Sequence, residues 1–568
     1  MVATVSNQSN KSKDEVDYDD LLTSAGELGW YQWRLFFAVC PFFAFGAFSY
    51  FSQIFITETS PNYWCRIPEL ANMTDISRRD LGIPKDVNSR FGYSQCEMYA
   101  VNWTEVLAAG QEPNSNWSKV PCQHGWEFNK TEIPYPTIGS DMEWVCDKNS
   151  YQATAQSMFF VGSILGGIIL GWVADRFGRI PAIISSCLVG CIGGVASTFA
   201  RNFIEFTAAR FVMGISYDTC LTMPYLVILE YIAPKYRTFV ANFSFAVFFS
   251  LFITTLPWIA LACGHWKIIS LATSLPLGFA VFTKFVLPES PRWLLSKGYV
   301  DEATQKILVI SRTNKKKLPP GIIEKFKLST SKSTKEQNQN WLECLRRPGT
   351  RKMFILMCLE YTCCVIVFDG IVRCIGQLDY DFFITFSAMS FTELPSVLIV
   401  AFAMDYTGRR WLCIVSMGIG TIFCILIIFS TTGMHSMIYA VVARFGINIG
   451  FSVSLQWCAE ILPTSVRGSG IAMVHICGYI ATLLSPYIAY LQVFYYWLPL
   501  TIFSVICALG MIIAFALPET ALKAMPNTFE EADELSRNQC LFSIPFLEAR
   551  RENNKVVGQN NPSFECEL

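Results

Sequence analysis

Gly171-Trp172-Val173-Ala174-Asp175-Arg176-Phe177-Gly178-Arg179 separates two long apolar segments. A nine-residue stretch with one acid, two arginines and two glycines reads as a tight loop at a membrane surface. The stretch has an echo, Asp405-Tyr406-Thr407-Gly408-Arg409, placed 230 residues later. Gly178 and Gly408 share that offset, as do Arg179 and Arg409, Glu230 and Glu460, and Arg237 and Arg467. Pro288-Glu289 and Pro518-Glu519 keep it too. So many matches at one spacing describe a duplicated unit.

The composition agrees with a membrane protein. Of 568 residues, 52% are hydrophobic and 16% charged, against about 25% charged in soluble domains. Mean hydropathy is +0.35. Net charge is −1, which argues against nucleic acid as a partner. The first 29 residues are polar and acidic, with Asp14, Glu15, Asp17, Asp19 and Asp20, and lack the pattern of a cleaved signal peptide.

A helix needs roughly 20 apolar residues to cross a bilayer. Twelve segments meet that need, at 33–56, 151–174, 180–200, 203–228, 238–260, 266–287, 351–376, 381–404, 411–430, 435–458, 468–491 and 496–517. The expected fold is therefore an all-α membrane protein with two six-helix pseudo-repeats. A short N-terminal segment (1–32) precedes the first half (33–287); a linker (288–350), the second half (351–517) and a tail (518–568) follow. Lys315, Lys316, Lys317, Arg346 and Arg347 in the linker fall on the same face as Arg176, Arg179, Lys235, Arg237, Arg409 and Arg467 in short loops. That bias makes this face, and both termini, cytoplasmic.

Residues 57–150 form a large loop on the other face. It carries glycosylation sequons at Asn72, Asn102, Asn116 and Asn129. Cys65, Cys96, Cys122 and Cys146 make an even set, able to form two disulfides in one of three pairings. Sequons at Asn7 and Asn10 lie on the cytoplasmic side and are not expected to be used.

Charges at the helix ends suggest a gate. Asp175, Arg179, Glu230 and Arg237 in one half match Asp405, Arg409, Glu460 and Arg467 in the other. Pairs among them and with helix dipoles are expected to close the cytoplasmic side and break as the halves rock.

Ionisable groups inside spans are costly and therefore functional candidates. Near mid-span are Asp218, Glu360 and Glu393; Asp369 and Arg373 lie further out, spaced to pair with each other. Glu360 is read as a packing or protonated group. The innermost charges thus read as acids without a basic partner, suited to an ammonium. Tyr361 and Phe368, seven apart, share a helix face that a cation can use.

Several blocks narrow the family. Gly26-Glu27-Leu28-Gly29-Trp30-Tyr31-Gln32 precedes the first span, and Pro121-Cys122-Gln123-His124-Gly125-Trp126 lies in the loop. Glu289-Ser290-Pro291-Arg292-Trp293-Leu294-Leu295 opens the linker, and Ala459-Glu460-Ile461-Leu462-Pro463-Thr464-Ser465-Val466-Arg467 follows span 10. From about residue 26 to 520 the chain resembles the major facilitator superfamily and, within it, the organic ion transporters of solute carrier family 22. The resemblance implies a monomeric plasma-membrane carrier that works by alternating access. In its cation branch an acid is implied at Glu393. The position where anion carriers tend to have lysine is Val397. Tyr479 stands where cation carriers have aspartate in span 11, and Asp218 where mammalian cation carriers have lysine in span 4. The expected substrate is a small organic cation or amine-bearing zwitterion, carnitine-like or a biogenic-amine metabolite, bound by Asp218, Tyr361, Phe368, Asp369, Glu393 and Tyr479. Alternatives are an organic anion exchanger, with Arg373 as its one evident intramembrane base, or a non-transporting receptor of the same fold.

No enzyme is expected. The four histidines are scattered without metal-ligand spacing, there is no phosphate-binding Gly-x4-Gly-Lys loop, and no cofactor is implied. Drive must come from the substrate gradient, the membrane potential or a coupled sodium ion or proton. A potential of 100 mV supplies about 2.3 kcal/mol per charge.

Overall fold

The computed structural model describes residues 18–537, apart from 87–88, 111–112, 115, 333–341, 464–465, 522, 524 and 527. The Asn7 and Asn10 sequons lie outside the described residues. Among the described residues, twelve helices are long and apolar enough to cross a membrane. Spans 1–6 are Trp30–Thr57, Cys146–Phe177, Arg179–Ser197, Phe203–Glu230, Ala246–Cys263 and Trp266–Val286. Spans 7–12 are Pro348–Arg373, Phe382–Thr407, Arg409–Ile428, Gly433–Ile461, Arg467–Val493 and Leu498–Ala516.

The quoted stretch is shorter as a turn than the sequence suggests. Span 2 stays helical through Phe177, and the reversal falls on Gly178 alone, at φ +113°. Its echo reverses at Gly408, at φ +84°. Both angles favour glycine, because a Cβ there is strained. Each reversal exposes the amides of a new helix start. The Glu289 carboxylate accepts from the Arg179 and Ile180 amides at 2.8 and 3.1 Å. Glu519 does the same for Arg409 and Arg410 at 2.9 and 3.0 Å. An acid at a helix N-terminus satisfies orphan donors and opposes the positive dipole end. The repeated Pro-Glu pairs are therefore helix caps brought back from the ends of spans 6 and 12.

Small residues set the helix spacing, as is common where lipid supplies no hydrophobic drive for association. A Cβ on Gly166 would overlap the Ile215 carbonyl, and one on Gly214 the Phe159 carbonyl, so spans 2 and 4 touch backbone to backbone. A π-turn at Phe245–Phe249 leads into span 5, and span 8 is divided at Thr392, one residue before Glu393.

The loop after span 1 has its own small core, including Trp64, Ile67, Tyr93, Tyr99 and Trp103. Two two-stranded sheets join Tyr63–Cys65 to Trp126–Phe128 and Glu97–Tyr99 to Lys119–Pro121. Of the three pairings open to the cysteines, the structure has Cys65–Cys122 and Cys96–Cys146. Asn72, Asn102 and Asn116 are exposed and Asn129 half-buried.

At the opposite end, helix Tyr18–Gly26 packs on linker helices Val300–Thr313 and Ile322–Lys332. Asp19 receives Arg237 at 2.6 Å and Arg292 at 2.5 Å. Burial raises the Asp19 pKa, but the two guanidiniums outweigh it and hold the carboxyl below its ordinary range.

Candidate functional site

The two halves meet along spans 1, 2, 4 and 5 on one side and 7, 8 and 11 on the other. Toward the loop end, Ser157 Oγ donates to the Leu483 carbonyl at 2.9 Å and Ser387 Oγ to the Thr254 carbonyl at 3.3 Å. Phe55 packs edge-on against Phe382 and Phe386, with centroids 5.5 and 4.8 Å away. These contacts join the two halves toward the loop end.

At mid-membrane, Tyr479 Oη of span 11 donates to Asp218 Oδ1 of span 4 at 2.6 Å. Both residues are half-buried. Gly167 of span 2 leaves room beside the second Asp218 oxygen, 3.6 Å from where a Cβ would stand. Tyr217 precedes Asp218 and stacks on Tyr50 of span 1 with centroids 5.0 Å apart. Tyr361 stacks on His475 at 5.3 Å and on Phe451 at 6.0 Å. Phe451 in turn stacks on Phe368 at 4.6 Å. Tyr361 and Phe368 thus share a face, as their spacing predicts, and a third ring from span 10 bridges them.

Sequence reading predicts acids without a basic partner near mid-span, and for Glu393 the structure differs. Glu393 accepts from Arg444 Nη2 at 2.9 Å, and the two side chains are 5% and 2% exposed. Arg444 also lies over the Phe368 ring, 3.8 Å from its centroid, and donates to the Phe368 carbonyl. Asp369 takes Arg373 on both oxygens, at 2.8 and 2.9 Å, and also accepts from Tyr50. The Arg373 pairing is the one their spacing predicts, and with Tyr50 as a third partner Asp369 is a strut between spans 1 and 7 rather than an open ligand donor. Glu393 is likewise already neutralised. Glu360 accepts from Ser454 at 2.7 Å and lies near Cys364 and Cys413 within the second half, a packing position.

Two intramembrane bases besides Arg373 escaped the sequence reading. Arg444 is one. The other is Arg210, 1% exposed, which donates to Gln53 Oε1 at 2.6 Å and the Ser49 carbonyl at 3.3 Å and lies over Phe159 at 4.9 Å. A signal was available: Ala209-Arg210-Phe211 and Ala443-Arg444-Phe445 are the same tripeptide. Their offset is one helical turn longer than 230, so comparison at a fixed spacing passes over them.

The charged helix ends are knitted within each half. Arg179 pairs with Asp175 at 2.8 Å. Arg409 pairs with Asp405 at 3.2 Å and Glu460 at 2.9 Å. Arg237 meets Asp19, and Arg467 reaches the Leu462 carbonyl at 3.3 Å. The Glu230 carbonyl accepts from Tyr18 at 2.9 Å.

Twelve spans in two pseudo-equivalent halves, with a polar and aromatic centre between them, define a multi-pass membrane transporter, not an enzyme. The chain matches the sugar (and other) transporter family over residues 120–535. It is 30% identical to the carcinine transporter of Drosophila melanogaster, over 94% of this chain and 81% of that one. The Drosophila melanogaster beta-alanine transporter is 28% identical over 95% and 93%. Solute carrier family 22 member 2 of Homo sapiens is 26% identical over 91% and 95%. Among solved structures, the E. coli xylose transporter XylE in a partially occluded inward open conformation shares the fold. Its TM-score is 0.56 and its identity 14%, and the match covers 87% of this chain and 99% of that one. The chain belongs to the major facilitator superfamily and, within it, to the organic ion transporters of solute carrier family 22.

Proposed function

We propose that this chain carries small organic cations or amine-bearing zwitterions across the plasma membrane by alternating access, with both termini cytoplasmic. The observation that carries the reading is Asp218. It is a mid-membrane carboxylate at the boundary between halves, half-buried, and bonded to a neutral phenol. An ammonium there gains a charge-assisted hydrogen bond, and the rings of Tyr361 and Tyr217 offer cation–π faces worth about 0.5–2 kcal/mol each. The names of the carcinine and beta-alanine carriers support an amine-bearing solute. Site residues on this reading are Asp218, Tyr361 and Tyr479; the Phe368 ring is already covered by Arg444 and Phe451.

Rocking of the halves about this centre exposes it to each side in turn. The contacts at the loop end fit a state closed toward the outside. The Asp175–Arg179 and Asp405–Arg409–Glu460 clusters then act as stiff corners of each half, which come together when the cytoplasmic side closes. Glycans on Asn72, Asn102, Asn116 and Asn129 fit an extracellular loop.

An anion exchanger is the weaker reading. Arg210 and Arg444 are 1% and 2% exposed and already bonded to Gln53 and Glu393. Uptake of labelled amines, zwitterions and anions by cells expressing the chain tests the assignment. Saturable amine uptake lost in Asp218→Asn supports it; anion uptake indifferent to that substitution removes it.

A further inference from the structure

Three acids lie along the boundary between the halves, and they are not treated alike. Asp369 has Arg373 and Glu393 has Arg444, each at 2.8–2.9 Å. Asp218 has Tyr479, and among the described residues no ion pair reaches it. The groups facing it are few. Span 11 presents Tyr479 and His475, span 7 presents Tyr361, span 1 presents Tyr50 behind Tyr217, and span 2 presents Gly167. Tyr361 and His475 are stacked on each other, their planes 7° apart. This leaves Asp218 without a permanent counter-charge in the protein.

A carrier must return empty after each delivery. An ionised carboxylate carried back through the sealed centre without a cation is strongly penalised. A bound ammonium removes the penalty on the loaded leg. On the empty leg a proton is the smallest cation that does so, and it needs no cavity. We propose that the protein exchanges its amine substrate for a proton at Asp218. The proposal rests on the reading of Asp218 as the amine site.

On one side of the membrane a hydronium ion gives a proton to an Asp218 oxygen, its own O–H bond breaking to leave water as the carboxyl O–H bond forms, and the ammonium leaves. After the empty carrier turns over, that O–H bond breaks to water on the other side, and a second ammonium takes the carboxylate. One monovalent cation and one proton move in opposite directions, with no net charge transferred. Tyr479 holds the remaining carboxylate lone pair in both forms.

Purified protein in vesicles tests this with labelled choline, which has no neutral form to leak, and labelled carcinine, each against protein-free vesicles. With the interior one pH unit more acidic than the bath, the expected result is uphill accumulation of up to about tenfold. A clamped membrane potential should leave it unchanged. Asp218→Asn should abolish the response to the pH gradient, while Tyr479→Phe, which keeps the acid, should retain it. Amine uptake that ignores the pH gradient and follows potential or sodium overturns the exchange but leaves the amine site standing. Absence of uptake for both amines, with the protein folded by thermal melting, overturns the amine site and the exchange with it.

Discussion

Tyr479 and Asp218 are 261 residues apart, and one 2.6 Å hydrogen bond between them spans the boundary of the two halves. A contact of this kind has to open whenever the halves separate at that level. It is therefore both a candidate ligand position and a reporter of the conformational state.

Replacing the acid and the phenol should have unequal effects. A hydrogen bond to a charged group contributes about 1.5–3 kcal/mol, so Asp218→Asn should lower amine uptake about ten- to hundredfold at unchanged surface expression. Tyr479→Phe removes a neutral donor and should lower it less. Initial-rate uptake with surface biotinylation separates the two.

Arg444 and Glu393 form a pair with both members buried. Removing one partner leaves an uncompensated charge, which destabilises buried pairs by about 3–5 kcal/mol. Arg444→Met should therefore lower the melting temperature strongly, and the double change with Glu393→Gln should recover much of the loss. Melting of the detergent-solubilised single and double variants measures the coupling. Equal melting of all variants contradicts a structural role.

Arg409 ties Asp405 to Glu460 at the end of span 8. Arg409→Ala and Asp175→Ala should reduce maximal transport more than they change substrate affinity, because the contacts bias a two-state equilibrium far from the site. Comparing equilibrium binding with turnover decides the matter. A loss confined to affinity removes the gating role.

Glu58, just beyond span 1, accepts from Gln152 at 2.9 Å. Burial pushes its pKa up to about 7, against the pull of that hydrogen bond. Its folded-state pKa lies above the unfolded value, so the folded protein keeps a proton that the unfolded chain gives up. Stability linked to this group is full at acid pH and falls as pH rises from the unfolded value toward 7. Glu58→Gln should therefore raise thermal stability at pH 8, on the order of 1–3 kcal/mol, and hardly change it near pH 4. Melting across that pH range is the check.

Composition, hydropathy and the 230-residue echo were enough to read twelve spans and two halves, and the motif blocks carried the resemblance to the family, since each depends on local pattern or on motifs contiguous in the chain. The positions of Asp218, Glu393, Asp369 and the four loop cysteines were legible for the same reason. What could not be read was partnership. Whether an intramembrane acid is neutralised depends on which residue of another span stands within about 4 Å of it, and helix packing alone decides that. Arg444 closed off Glu393, Tyr50 reached Asp369 from another span beside the Arg373 already legible at i+4, and the fold selected one disulfide pairing from three. Asp218 stayed open because the residue brought to it across the boundary between the halves is a phenol and not a base.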